Sequence, residues 1–162
     1  MDLLSKKIAL FPGSFDPLTK GHVNLIYRGC TLFEELVVGI FRNTTKNPLF
    51  SMDERELLCK KVTRTLQNVS VHSFADSLTV DAVKQVGATH LLRGIRNASD
   101  YEYERDLARF NQELSEGFDT VFLFADPSLG HLSSSVLKEI HVSGGDVSAY
   151  LPDEVYRMLK NK

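Results

Sequence analysis

The stretch Ile8-Ala9-Leu10-Phe11-Pro12-Gly13-Ser14-Phe15-Asp16-Pro17-Leu18-Thr19-Lys20-Gly21-His22 sets an apolar run, a loop of small and turn-forming residues, and the start of an amphipathic pattern one after another. Ile8 to Phe11 reads as a buried strand that breaks at Pro12-Gly13, and a helix is expected from near Gly21-His22. A strand feeding a small-residue loop and then a helix N-terminus suits phosphate, because free backbone N–H groups and the positive end of the helix dipole face the ligand. His22 sits at that helix entrance, where an imidazole can reach the anion in the loop. A lone histidine would read as a surface residue. Gly13, Ser14, Thr19, Gly21 and His22 together in one strand-to-helix loop favour a site.

Strand-like and helix-like patterns then alternate along the chain. Val23, Ile26, Tyr27, Cys30 and Phe33 keep helical spacing, and Leu36-Val37-Val38-Gly39-Ile40-Phe41 reads as a strand buried on both faces. Ser51 and Glu54 form a capping box ahead of a helix whose buried stripe would be Leu57, Leu58, Val62 and Leu66. Val69 to Phe74 alternates as a third strand, and Leu78 to Val86 is a short helix closed by Gly87. His90-Leu91-Leu92 is a fourth strand running into Arg93-Gly94-Ile95-Arg96. Ser99 and Glu102 suggest a second capping box for a helix to about Leu114, Thr120 to Phe124 a fifth strand, and Ser133–His141 and Pro152–Lys160 the last helices. This series predicts an α/β, Rossmann-like doubly wound fold: a mostly parallel five-stranded sheet with helices on both faces. In such sheets ligands bind beyond the carboxyl ends of the strands. Every polar cluster considered below follows a strand.

The 162 residues suit a single domain spanning 1–162, with 43% hydrophobic and 25% charged residues. A net charge of -2 gives no basic excess for general nucleic-acid or membrane binding. Cys30 and Cys59 lie far apart, with no CxxC pair, and read as small buried apolar residues. Neither a signal peptide nor a membrane-length apolar run is visible, so a cytoplasmic enzyme is expected. No constellation suggests a metal held by protein side chains.

Three further clusters carry chemistry. Lys46, in Arg42-Asn43-Thr44-Thr45-Lys46, reads equally well as a mobile point charge on phosphate or as a solvated loop lysine. Arg93 and Arg96 bracket Gly94 after a strand, which suits bidentate phosphate contacts against exposed backbone. Ser133-Ser134-Ser135 opens a helix, and since capping needs one serine, the other hydroxyls are left for a ligand. Asp100, Glu102 and Glu104 read as dipole-compensating acids. By pattern alone Leu107 is a core residue and Asn111 a surface amide. His72 and His90 read as packed or edge residues, and His141 stays unassigned.

Thr19-Lys20-Gly21-His22 resembles the TxGH motif of the nucleotidylyltransferase superfamily. Pro12 to Pro17 together with it resembles, more narrowly, the bacterial phosphopantetheine adenylyltransferases. That resemblance continues through Lys46-Asn47-Pro48-Leu49-Phe50, Leu92 to Arg96, Asp100 to Glu104, Ser133 to Ser135 and Gly144-Gly145-Asp146-Val147-Ser148. It implies transfer of the adenylyl group of ATP to 4′-phosphopantetheine, giving dephospho-coenzyme A and pyrophosphate. Magnesium would accompany the ATP phosphates. It implies catalytic roles for His22, Lys46 and Arg93. An ATP site would be built from Gly13, Ser14, Phe15, His22, Gly94, Ile95, Arg96, Glu104, Leu129, Gly130, His131, Leu132, Ser133, Ser134 and Ser135. Ser14, Lys46, Thr79, Arg93, Leu107 and Asn111 would hold the acceptor. A homohexamer and feedback inhibition by coenzyme A are implied as well. The chain departs from the family at Leu129, where an aromatic residue is usual.

Overall fold

A computed structural model of the chain describes residues 5–43 and 47–162. Five strands, β1 (Ile8–Gly13), β2 (Glu35–Phe41), β3 (Val69–Phe74), β4 (His90–Ile95) and β5 (Asp119–Phe124), form one parallel sheet in the order β3-β2-β1-β4-β5. The helices are α1 (Lys20–Leu32), α2 (Met52–Thr63), α3 (Thr79–Val86), α4 (Ala98–Leu114), α5 (Ser134–Val142) and α6 (Asp153–Lys160), with one 3-10 turn at Ser148–Tyr150.

Side chains alternate across the pleat and both faces are covered. Ala9, Phe11, Leu36, Val38, Ile40 and Leu92 pack with residues of α1, α2, α5 and α6. Leu10, Val37 and Leu91 pack with Val80, Ala82 and Val83 of α3. This two-sided burial explains why the central strands read as unbroken apolar runs.

The chain order reverses between β1 and β4, and that junction shapes the site. β1 pairs with β2 along its whole length, from Ile8 to Gly13, but with β4 only at Ala9 and Leu10. Beyond Leu10 the two strands part, and a crevice opens at their carboxyl ends, as expected at a topological switch point. The strand runs on through Pro12 and ends at Gly13, rather than breaking after Phe11. Pro12 is tolerated inside it because its missing N–H faces the side where the ladder has already ended. Its carbonyl on that side is taken by Arg93 Nη1 at 3.1 Å.

Several boundaries and faces differ from the sequence pattern. β4 continues through Ile95, so Arg93 and Gly94 lie in the strand rather than after it. In α1 the buried stripe is Leu25, Ile26 and Gly29, while Tyr27 faces outward. In α2, Leu57 is exposed and Arg55, Leu58 and Cys59 are buried. The helix after β4 is capped by Asn97, whose side chain accepts from Asp100 N at 2.8 Å, and not by Ser99. Asp100 lies in its first turn and its carboxylate turns back to Arg96, described below.

The Ser51 capping box is present in both directions: Glu54 N donates to Ser51 Oγ, and Ser51 N donates to Glu54 Oε2. Ser51→Ala is expected to cost about 1 kcal/mol of stability in urea titration, with the slope of the transition unchanged.

Candidate active site

A cleft of about 290 Å³ lies at the parting of β1 and β4. Its floor is Pro12 and Gly13 of β1 and Arg93 and Gly94 of β4, and its walls are the N-termini of α1 and α5. Neither α1 nor α5 has an acidic residue in its first turn, whereas α2, α3, α4 and α6 each have at least one. Two uncompensated dipole ends converge on one space, which suits an anion.

Thr19 is the N-cap of α1 and forms a reciprocal box with His22. His22 N donates to Thr19 Oγ1 at 3.3 Å, and Thr19 N donates to His22 Nδ1 at 3.1 Å. A backbone N–H can only donate to an unprotonated Nδ1, so the ring proton of the neutral imidazole resides on Nε2. Burial, with Arg96 as a second cause, pushes the His22 pKa down to about 4. At neutral pH His22 is thus a neutral hydrogen-bond donor of fixed tautomer. It stacks edge-on against Phe15, itself buried and held at a φ of 47°, a left-handed conformation that a bulky residue adopts only where packing enforces it.

Both arginines are braced from below. Arg93 Nε and Nη2 donate to the two carboxylate oxygens of Glu104 at 2.7 and 2.6 Å, and Nη1 donates to the Pro12 carbonyl. Arg96 Nε and Nη2 donate to Asp100 at 2.8 and 3.1 Å, and Nη1 donates to the Leu132 carbonyl at 3.3 Å. The Asp100 carboxyl is held below its usual range by Arg96. Glu104 is buried, so its role is to orient a guanidinium and not to compensate a dipole. At the far wall Ser133 caps α5 through Val136 N, and the Ser134 hydroxyl donates to the Pro17 carbonyl at 2.7 Å, joining α5 to the β1 loop.

The structure gathers Gly13, Phe15, His22, Arg93, Gly94, Arg96, Glu104, Leu129, Leu132, Ser133 and Ser134 around this one cleft. Ser14 and Ser135 line a small recess of about 30 Å³. Ile95 is buried in the sheet. Gly130 and His131 lie outside the lining, and the His131 ring packs edge-on against Tyr150. Thr79, Leu107 and Asn111 sit on α3 and α4, away from the cleft lining. Asn111 is not the surface amide its pattern suggests. It is buried, and its Nδ2 has no hydrogen-bond partner among the described residues. Lys46 lies outside the described residues. Sequence reasoning passes over Asp16 and Arg55, whose partners are backbone groups of distant segments: Asp16 accepts from Leu49 N and Phe50 N, and Arg55 donates to the Ser14 and Phe41 carbonyls. Among the described residues no group of three His, Cys, Asp or Glu is gathered as for a metal.

A family model described as cytidylyltransferase-like matches residues 10–140. The phosphopantetheine adenylyltransferase of Limosilactobacillus reuteri is 49% identical over 156 residues, covering 96% of this chain and 90% of that protein. The chain belongs to the cytidylyltransferase-like family. The phosphopantetheine adenylyltransferase of Caldanaerobacter subterraneus is 44% identical, covering 96% of this chain and 97% of its own length. Among solved structures, a Vibrio parahaemolyticus protein assigned as a nicotinate-nucleotide adenylyltransferase superposes with a TM-score of 0.73 at 18% identity. That match covers 97% of this chain and 100% of the other, and at such identity it supports the fold alone.

Proposed function

We propose that this chain is a phosphopantetheine adenylyltransferase, transferring the adenylyl group of ATP to 4′-phosphopantetheine in coenzyme A biosynthesis. The single observation that carries the mechanism is the Thr19–His22 box, which supplies a neutral Nε2 donor at a helix N-terminus in a cleft walled by arginines. Family membership, with relatives of that name at 43–49% identity, supplies the acceptor.

The reaction is an in-line displacement. An oxygen of the acceptor phosphate forms a bond to the α-phosphorus of ATP, the bond from that phosphorus to the bridging oxygen breaks, and pyrophosphate leaves with the electron pair. The acceptor is already an anion, so no proton has to be removed. Catalysis therefore rests on positioning and charge stabilisation. The His22 Nε2–H donates to a non-bridging α-phosphate oxygen as its charge grows. Arg93, with Lys46, holds the acceptor phosphate, and Ser14 orients it. Arg96 and Ser133–Ser135 hold the triphosphate, with Leu129 and Leu132 against the nucleotide. Leu107, Thr79 and the unpartnered Asn111 amide receive the pantetheine arm. Asp100 and Glu104 are both committed to arginines. Magnesium therefore enters as part of the ATP substrate, bound to its phosphates.

No helix of the described residues is long and apolar enough to cross a membrane. Tyr103, Phe110 and Leu114 of α4, Phe124 of β5 and Val142 of α5 are all exposed apolar residues. They supply surface for self-association into the expected homohexamer. Feedback by coenzyme A follows from its sharing the pantetheine arm with the acceptor.

The test is pyrophosphate release from ATP and magnesium with a panel of phosphate acceptors. Release with 4′-phosphopantetheine alone is expected. Release with a nicotinamide or glycerol phosphate instead would assign another transferase of the superfamily, and no release with any acceptor would point to a nucleotide sensor.

A further inference from the structure

The loop after β1 places a large ring where a small residue is the usual occupant. Phe15 is held at a φ of 47°, a backbone conformation that glycine or asparagine adopts readily and an aromatic residue does not. It is 2% exposed, so the ring is turned inward rather than spread over the loop surface. There its centroid lies 5.1 Å from that of His22 at an interplanar angle of 73°, and 5.5 Å from that of Phe11 at 72°. Edge-to-face stacks have a preferred mutual orientation, which a contact between aliphatic side chains lacks.

Gly13 makes the room. A methyl group on its Cα would come within 3.0 and 3.1 Å of two carbon atoms of the Phe15 ring, closer than side chains pack without shifting. Gly13 ends β1 and has no positive φ. Its missing side chain therefore serves this close approach and not a turn.

The stack supplies a constraint that the Thr19–His22 box lacks. The bond from Thr19 N pins the imidazole at Nδ1 and leaves the tilt of its plane loosely set. A ring packed against the imidazole fixes the plane, and with it the direction of the Nε2–H. The same ring keeps water from that side of His22, in agreement with the burial that pushes its pKa down to about 4.

We propose that Phe15, seated in the gap at Gly13, is a positioning residue for His22: its ring sets the plane of the imidazole and so aims the Nε2–H into the cleft. The proposal rests on the reading of His22 as the donor to the α-phosphate.

Phe15→Leu keeps an apolar side chain but loses the stack. Its single-turnover rate is expected to fall about 10- to 100-fold, the scale of a misaimed catalytic group, while ATP affinity by calorimetry stays within about threefold. NMR of the imidazole nitrogens supplies a readout that a merely structural role would not move. The His22 titration midpoint is expected to rise toward the ordinary histidine value. Arg93, Arg96, Asp100 and Glu104, the charged groups lining the same cleft, are unchanged in this variant, so the rise reports the ring. Gly13→Ala disturbs the stack without removing it, and a smaller loss of about three- to tenfold is expected. This milder variant keeps the test open should Phe15→Leu fail to fold.

The decisive measurement repeats each substitution in a His22→Ala background. If the ring acts through the imidazole, neither adds much further loss. Multiplication of the losses in full would overturn the proposal, and so would wild-type turnover with an unmoved His22 titration in either single variant. Wild-type turnover in His22→Ala alone would instead sink the reading of His22 as the donor, and the role of Phe15 with it.

Discussion

Replacing His22 with alanine is expected to lower turnover by about 10²- to 10³-fold while ATP affinity changes little, because the Nε2 donor is strengthened mainly as charge develops on the α-phosphate. The expectation follows from the tautomer. With Nδ1 accepting from Thr19 N at 3.1 Å, the proton must sit on Nε2, and the donor is in place before substrate arrives. His22→Asn, which keeps a donor on a shorter arm, should recover part of the loss. Single-turnover rates with calorimetric ATP affinity separate the two quantities, and an alanine variant with wild-type turnover would remove His22 from the mechanism. The pH dependence is equally specific. Since His22 is pushed down to about 4, its titration should be missing from the turnover profile near pH 6.5 and appear only at the acid end. Stability carries the complementary sign. Below about pH 6.5 the unfolded chain binds a proton at this imidazole that the native protein refuses until about pH 4. Stability should therefore be full above about pH 6.5 and decline as pH falls through that window. His22→Gln should flatten that part of the curve in thermal unfolding, and an unchanged slope would contradict the depressed value.

What could be read in advance, and what could not, divides by the range of the interaction. The doubly wound sheet follows from alternating apolar runs and helical spacing, since each element's pattern is local. The Ser51 box follows from residues three apart, and so does the phosphate loop ahead of His22. Asn97 was missed because a cap competes with its neighbours, and Arg96 draws Asp100 into place only once the helix has turned. Nothing within α2 distinguishes Arg55 from its other charges, because the carbonyls of Ser14 and Phe41 that close over it come from distant segments. Glu104 looked like a dipole acid for the same reason. Its partner is eleven residues earlier on a strand, and the pair forms only when α4 packs beside β4. Asn111 shows the limit most clearly. Its helical position predicted exposure, and burial left its amide without a partner.

Arg93→Lys is expected to lower kcat/KM for the acceptor by about 10²-fold, the scale of misplacing an attacking group by about 1 Å. The reason is a count of donors. A guanidinium has five N–H groups. In Arg93 one from each of Nε and Nη2 goes to Glu104, and one from Nη1 goes to the Pro12 carbonyl. The two that remain, one on each terminal nitrogen, are the ones left for the cleft, and their direction is fixed by the three already bound. A lysine ammonium keeps the charge but must choose between Glu104 and the ligand. Glu104→Gln tests the brace from the other side. It leaves a half-buried guanidinium without its counter-charge, which should cost about 2–3 kcal/mol in urea titration, less than a fully buried pair because Arg93 keeps some solvent. Acceptor kcat/KM should fall in step, since the two free N–H groups lose their aim. A Glu104→Gln protein that is destabilised yet captures acceptor normally would show that the pair holds α4 to β4 and does no more. If both variants lose acceptor kcat/KM, and their double mutant loses no more than Arg93→Lys alone, then the carboxylate acts through the arginine, as the bidentate geometry requires.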